Sequence, residues 1–156
     1  MSLRFNILNF KNHASIWNKL KKNLSKIFEK DIQIVFPEEW NIKFYKWFQN
    51  VEEIAFREEL RYSYKEVEER LNHMNILLLF ILVNNNPEAL LLGYLLPNEL
   101  NKTFFLDTIA TKHQGKGIGT IILKNIIKWL KREKYKFVWV ETEEVDEKKI
   151  MLQKFY

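Results

Sequence analysis

Apolar positions along this chain recur at two spacings, and the switches between them delimit its elements. LRFNILNF at 3–10 alternates loosely and predicts a strand. From Ala14 to about Lys30, Ile16, Leu20, Leu24, Ile27 and Phe28 return at helical spacing, which predicts an amphipathic helix. DIQIVF at 31–36 is β-branched, short and stopped by Pro37, so it predicts a strand. Two helical stripes follow between 41 and 75: Phe44, Trp47, Phe48, Val51, Ile54 and Ala55, then Leu60, Tyr64, Val67 and Leu71. The polar knot REEL at 57–60 separates them and predicts a bend between two helices. Strands at 76–83, 89–96 and 103–111 are joined by the turn-rich NNNPE and NELNK, which favours an antiparallel meander. Beyond them Ile118, Ile121, Ile122, Asn125, Ile126 and Trp129 trace one face of a helix ending near Glu133. YKFVWVET at 135–142 is a strand, and the helical crossover before it predicts parallel pairing with 103–111. A last helix is expected over about 146–156.

Composition narrows the class. A chain of 156 residues with 47% hydrophobic and 15% aromatic content has the size and apolar supply of one packed domain. Residues 1–30 read as an N-terminal strand and helix extension, and 31–156 as the main unit. The absence of cysteine excludes a disulfide framework and thiolate zinc sites, and points to a reducing compartment. The longest apolar runs, at 75–83 and 89–97, are too short to span a bilayer, and MSLRFN lacks the apolar stretch of a signal peptide. A cytoplasmic location without a membrane partner is the expectation.

The net charge of +5 and the lysine-rich KLKKNLSKIFEK at 19–30 raise the question of an anionic partner. Helical spacing makes those lysines a solvated face, and no nucleic-acid motif accompanies them, so nucleic acid is not the expected partner. A basic interaction domain is kept as an alternative.

HQGKGIG at 113–119 holds three of the four glycines in the chain. A strand that passes through a glycine-rich turn into a helix presents unpaired N–H groups at the positive end of the helix dipole, which suits phosphate. The pattern lacks the Lys-Ser/Thr pair of a Walker loop and the spacing of the dinucleotide fingerprint. The alternative is a merely tight connection.

Gln114, Gly115, Lys116, Gly117, Ile118 and Gly119 match the Q/R-x-x-G-x-G/A signature of the GCN5-related N-acetyltransferase (GNAT) family. The chain resembles that family over about 31–156, with the strand and helix order in support. The resemblance implies an α/β fold with a mixed, mostly antiparallel sheet, splayed central strands and flanking helices. It also implies acetyl-CoA as co-substrate and transfer of acetyl to an amine on a small molecule, a protein N-terminus or a lysine. The pantetheine arm is then expected along the main chain of Ile109 and Thr111, and the diphosphate on the amides from Gln114 to Thr120. A coenzyme-A-binding module without catalysis is the rival within the family.

The family often supplies its general acid as a tyrosine in an FY pair, and Phe155-Tyr156 resembles that segment, which makes Tyr156 the candidate acid. Lys149 and Leu152 depart from the residues common there. For the base, Asp107 is the only charge in TFFLDTIAT, and strict alternation puts it on the face of Ile109 and Thr111. A lone carboxylate in an apolar strand needs a partner or a task, so a structural hydrogen bond is the competing reading. Glu141 at the end of the last strand is a second carboxylate candidate, though ETEEVDE reads more strongly as the cap of the last helix. By resemblance the bend at 57–60 lines the acceptor pocket. Glu52, Glu53, Glu58 and Glu59 are the carboxylates there that could attract a cationic amine, the competing reading being ordinary surface glutamates. His13, His73 and His113 show no metal-ligand spacing.

In relatives the FY pair precedes further strands, whereas this chain stops at Tyr156. The usual C-terminal strands are therefore expected to be missing, and the strand at 135–142 becomes an open edge that invites homodimerisation.

Overall fold

The computed structural model describes residues 3–4, 13–96, 102–140 and 148–151. The elements in chain order are β1 (Leu3–Arg4), α1 (Ala14–Phe28), β2 (Ile32–Val35), β3 (Glu39–Trp40), α2 (Ile42–Ala55), a 3-10 turn (Glu58–Leu60), α3 (Tyr64–Arg70), β4 (Met74–Val83), β5 (Asn86–Leu95), β6 (Thr103–Thr111), α4 (Ile118–Arg132), β7 (Phe137–Val140) and β8 (Lys148–Met151). Local chemistry sets several boundaries. The Asn41 side chain accepts from Phe44 N–H at 3.2 Å and starts α2. Ser63 and Glu66 close a capping box at the start of α3.

Six strands form one sheet in the order β2-β4-β5-β6-β7-β8, antiparallel throughout except for the parallel β6–β7 pair. The meander and the parallel crossover are as the sequence predicts. Side chains alternate across β4. Leu77, Leu79 and Ile81 meet α1 and α4 on one face, while Ile76, Leu78 and Phe80 meet α2 and α3 on the other. The result is helix, sheet, helix in three layers.

Two expectations are corrected here. Residues 148–151, assigned to a final helix, form β8. The β7 edge offers open main-chain groups, and KKIM pairs with it antiparallel from Phe137↔Met151 to Val140↔Lys148. At least one strand beyond β7 is therefore present, and β7 is not the bare edge from which dimerisation was inferred. The second correction concerns Asp107. Leu92 faces Thr108 but Gly93 faces Leu106, so Asp107 is the extra residue of a β-bulge. A bulge shifts the alternation by one. Asp107 consequently turns toward the α2/α3 side, while Ile109 packs in the α1/α4 layer.

Candidate functional site

β6 and β7 run side by side up to the bulge, where the described part of β7 ends. The two strands pair from Thr103↔Phe137 to Leu106↔Val140, and among the described residues β6 has no neighbour on that side from Asp107 to Thr111. The main chain of Ile109 and Thr111, expected to meet the pantetheine arm, lies on this open stretch. β6 then runs into the glycine turn. Gly115 and Gly117 adopt φ +78° and +74°, a region closed to most side chains, and a Cβ at Gly115, Gly117 or Gly119 would meet no atom within 4 Å. Gly117 caps α4 without a side-chain hydrogen bond, and the first main-chain bond of the helix runs from Ile121 N–H to the Gly117 carbonyl. The amides of Ile118, Gly119 and Thr120 thus stand at an uncapped helix start. Gln114 and Lys116 are exposed beside them.

The lead-in to the turn is fastened from behind. His113 Nδ1 donates to the Glu88 carboxylate, Lys112 donates to the Asn50 side chain, and Lys112 N–H donates to the Glu88 carbonyl at 2.9 Å. These bonds tie the glycine turn to β5 and α2.

On the other side of the sheet Asp107 carries three donors. Tyr62 hydroxyl donates to Oδ1 at 2.6 Å, Tyr94 hydroxyl to Oδ2 at 2.5 Å, and Arg70 Nε to Oδ2 at 3.1 Å. The Asp107 side chain is only 4% exposed, and Arg70 also lies 3.9 Å over the Tyr62 ring. The His73 ring stacks on Tyr94 at 4.0 Å. Burial, reinforced by the Asp107 carboxylate, pushes the Tyr62 hydroxyl up to about 12 and raises that of Tyr94 as well. Both phenols stay protonated at neutral pH.

Glu52, in the last turn of α2, is 1% exposed. Its two oxygens accept the single Tyr62 N–H at 3.1 and 3.2 Å. Burial pushes this carboxyl up to about 7, against the pull of the Tyr62 N–H and of Arg61. Glu53, Glu58 and Glu59 are exposed, with Glu59 paired to Arg57 at 3.1 Å. Of the four glutamates expected along the acceptor pocket, the fold singles out Glu52.

Tyr156 and Glu141 lie outside the described residues. Tyr62, Arg70 and Tyr94 escaped the sequence reading, because they reach Asp107 from 45, 37 and 13 residues away. The only signal was Asp107 itself, an isolated charge that required donors.

The sequence profile of the acetyltransferase (GNAT) family matches residues 24–156, and the chain belongs to that family. No curated protein sequence matches it significantly. Solved structures similar in fold include the ribosomal-protein-S18-alanine N-acetyltransferase of Escherichia coli, at TM-score 0.57 and 17% identity, with 71% of this chain aligned to 66% of that one. The chain thus spans slightly less than two thirds of the E. coli enzyme. A second is the aminoglycoside acetyltransferase meta-AAC0020 from an uncultured soil metagenomic sample, in complex with sisomicin, at TM-score 0.55, 16% identity and coverage of 77% and 81%. No helix among the described residues is long and apolar enough to cross a membrane.

Proposed function

We propose that the protein transfers an acetyl group from acetyl-CoA to a primary amine. The observation that carries this reading is the open glycine turn at the uncapped start of α4, directly after β6. Amides from Gln114 to Thr120 suit a diphosphate without help from any side chain, and Ile109 and Thr111 offer main-chain groups to an extended amide-bearing arm. Bound acetyl-CoA supplies the activated thioester.

The residues divide the proton work. Asp107, with three donors already on it, is the carboxylate of the site, and the hydroxyls of Tyr62 and Tyr94 stand between it and an incoming ammonium. In this reading a phenol oxygen takes the amine proton as it passes its own proton to Asp107. In the same reading, which for these two residues rests on the family resemblance, Glu141 is a second candidate carboxylate and Tyr156 protonates the departing thiolate. The full occupation of Asp107 favours one rival, a coenzyme-A-binding module without turnover.

Thermal unfolding with acetyl-CoA, beside adenosine diphosphate as control, separates these outcomes. Saturation near a hundred times the dissociation constant adds about 2.7 kcal/mol, a clear rise in midpoint. No rise with acetyl-CoA would remove the reading. A rise without thiol release from any amine would leave the rival, and Tyr156→Phe with unchanged turnover would take Tyr156 out of the mechanism.

A further inference from the structure

Two helices hold all of the excess positive charge. α1 carries Lys19, Lys21, Lys22 and Lys26, α4 carries Lys124, Lys128, Lys131 and Arg132, and neither contains an acidic residue. These eight leave 17 cations against 20 acids in the rest of the chain, a net of −3 against the whole-chain +5. The sequence alone showed the α1 lysines as the solvated face of one helix. The fold adds α4 to them.

The helices lie antiparallel on the same face of the sheet. His13 Nε2 meets Glu133 Oε1 at 3.1 Å, Arg132 donates to Ser15 Oγ at 3.2 Å, and the Trp17 and Trp129 rings sit 6.2 Å apart. The next pair along is Lys19 and Lys128. Lys19 lies near enough to hold the Lys128 ammonium below its ordinary value, with desolvation, Arg132 and Lys124 acting in the same direction. Of the neighbouring acids, Glu133 is engaged by His13, and Glu29 sits at the far end of α1, where its main-chain N–H closes the helix. A fold that gathers like charges on one surface pays in repulsion, which a polyanion relieves.

The spacing indicates which polyanion. Lys124, Lys128 and Arg132 stand four residues apart, in a line that rises about 6 Å per step. Each strand of a duplex carries one phosphate per about 3.4 Å of helix axis, so a row of cations stepping about 6 Å can face the phosphates of one strand. An acidic membrane is the weaker fit. The apolar side chains of α1 and α4 are turned into the core, and the large exposed hydrophobics among the described residues, Ile42, Ile54 and Leu60, belong to α2 and the 3-10 turn. A membrane-surface helix needs an apolar face to insert.

We propose that the α1/α4 surface binds the phosphate backbone of a nucleic acid without reading its sequence. The proposal does not rest on acetyl transfer. Lys128 lies ten residues past Ile118, about 15 Å along α4 from the glycine turn, so the two sites are separable.

Fluorescence anisotropy of the full chain tests it, with labelled single-stranded RNA, duplex DNA and vesicles of phosphatidylcholine and phosphatidylserine as probes. Binding to nucleic acid is expected, with log K falling against log salt at a slope of about −3 on single strands if Lys19, Lys124, Lys128 and Arg132 each meet a phosphate. Lys128→Glu is expected to weaken binding about tenfold and to flatten the slope by about one. The same change places a carboxylate beside Lys19, so the thermal midpoint should hold or rise and the acetyl-CoA shift should persist. Lys124→Gln, in mid-helix, repeats the test without reversing a charge. No binding at low salt, a flat salt dependence, unchanged affinity in both variants, or preference for the vesicles would each overturn the proposal.

Discussion

Glu52 shows how one buried group couples stability to pH. Among the described residues its only hydrogen-bond donor is a main-chain N–H, too little to offset the desolvation of a full negative charge, and its pKa rises from 4.5 to about 7. Below pH 4.5 the group is neutral in both folded and unfolded chains, and its contribution is complete. Between 4.5 and 7 the unfolded chain releases the proton first, so stability falls as pH rises and the contribution is gone above about 7. A shift of that size corresponds to about 3 kcal/mol. Urea unfolding at pH 4.5 and pH 8 should therefore show the wild type losing about that much more than Glu52→Gln; equal losses would mean the carboxyl is solvated. The sequence placed Glu52 with three other glutamates near the acceptor pocket. Only the turn that brings Tyr62 back over α2 distinguishes it from Glu53, which faces solvent.

Among the elements, the β5–β6 pair decides the site, and it depends on the fourth glycine. A Cβ at Gly93 would stand 2.2 Å from Phe104 Cζ, 2.3 Å from its Cε2 and 2.8 Å from the Phe105 carbonyl. The ring of Phe104 therefore lies over Gly93 directly beside the bulge that turns Asp107 out. Gly93→Ala should destabilise the domain by about 3 kcal/mol, since a packed ring has to leave its place. A urea midpoint near that of wild type would contradict the bulge register. No motif in ALLLGYLL or TFFLDTIAT announces this contact. Alternation along β6 predicted the strand bounds correctly and the face of Asp107 wrongly, because a bulge arises between two strands and neither strand encodes it alone.

Across the whole molecule, α1 belongs to the body of the domain. Ile16, Trp17, Leu20 and Leu24 share one core with α4 and the sheet, although residues 1–30 read as an extension in the sequence. Leu20, fully buried, should cost about 3 kcal/mol when truncated to alanine. A chain starting at residue 31 should lack a single cooperative unfolding transition by circular dichroism; a sharp transition of wild-type midpoint would show α1 to be an appendage. The same packing sets Lys19 of α1 beside Lys128 of α4.

Local pattern determined most of the elements, the meander, the parallel crossover and the glycine turn, because side-chain period, turn residues and capping groups act over a few residues. It also carried the family, through six consecutive residues at 114–119. Tertiary structure decided the rest. KKIM became a strand because β7 had an edge to fill, Asp107 changed face because of a bulge opposite Gly93, and its donors arrived from α3, β5 and the loop before α3. The ionisation of Glu52 followed from burial, and the nearness of Lys19 to Lys128 from the pairing of two distant helices. Each of these depends on groups far apart in the chain, and their energies exist only once the fold has brought them together.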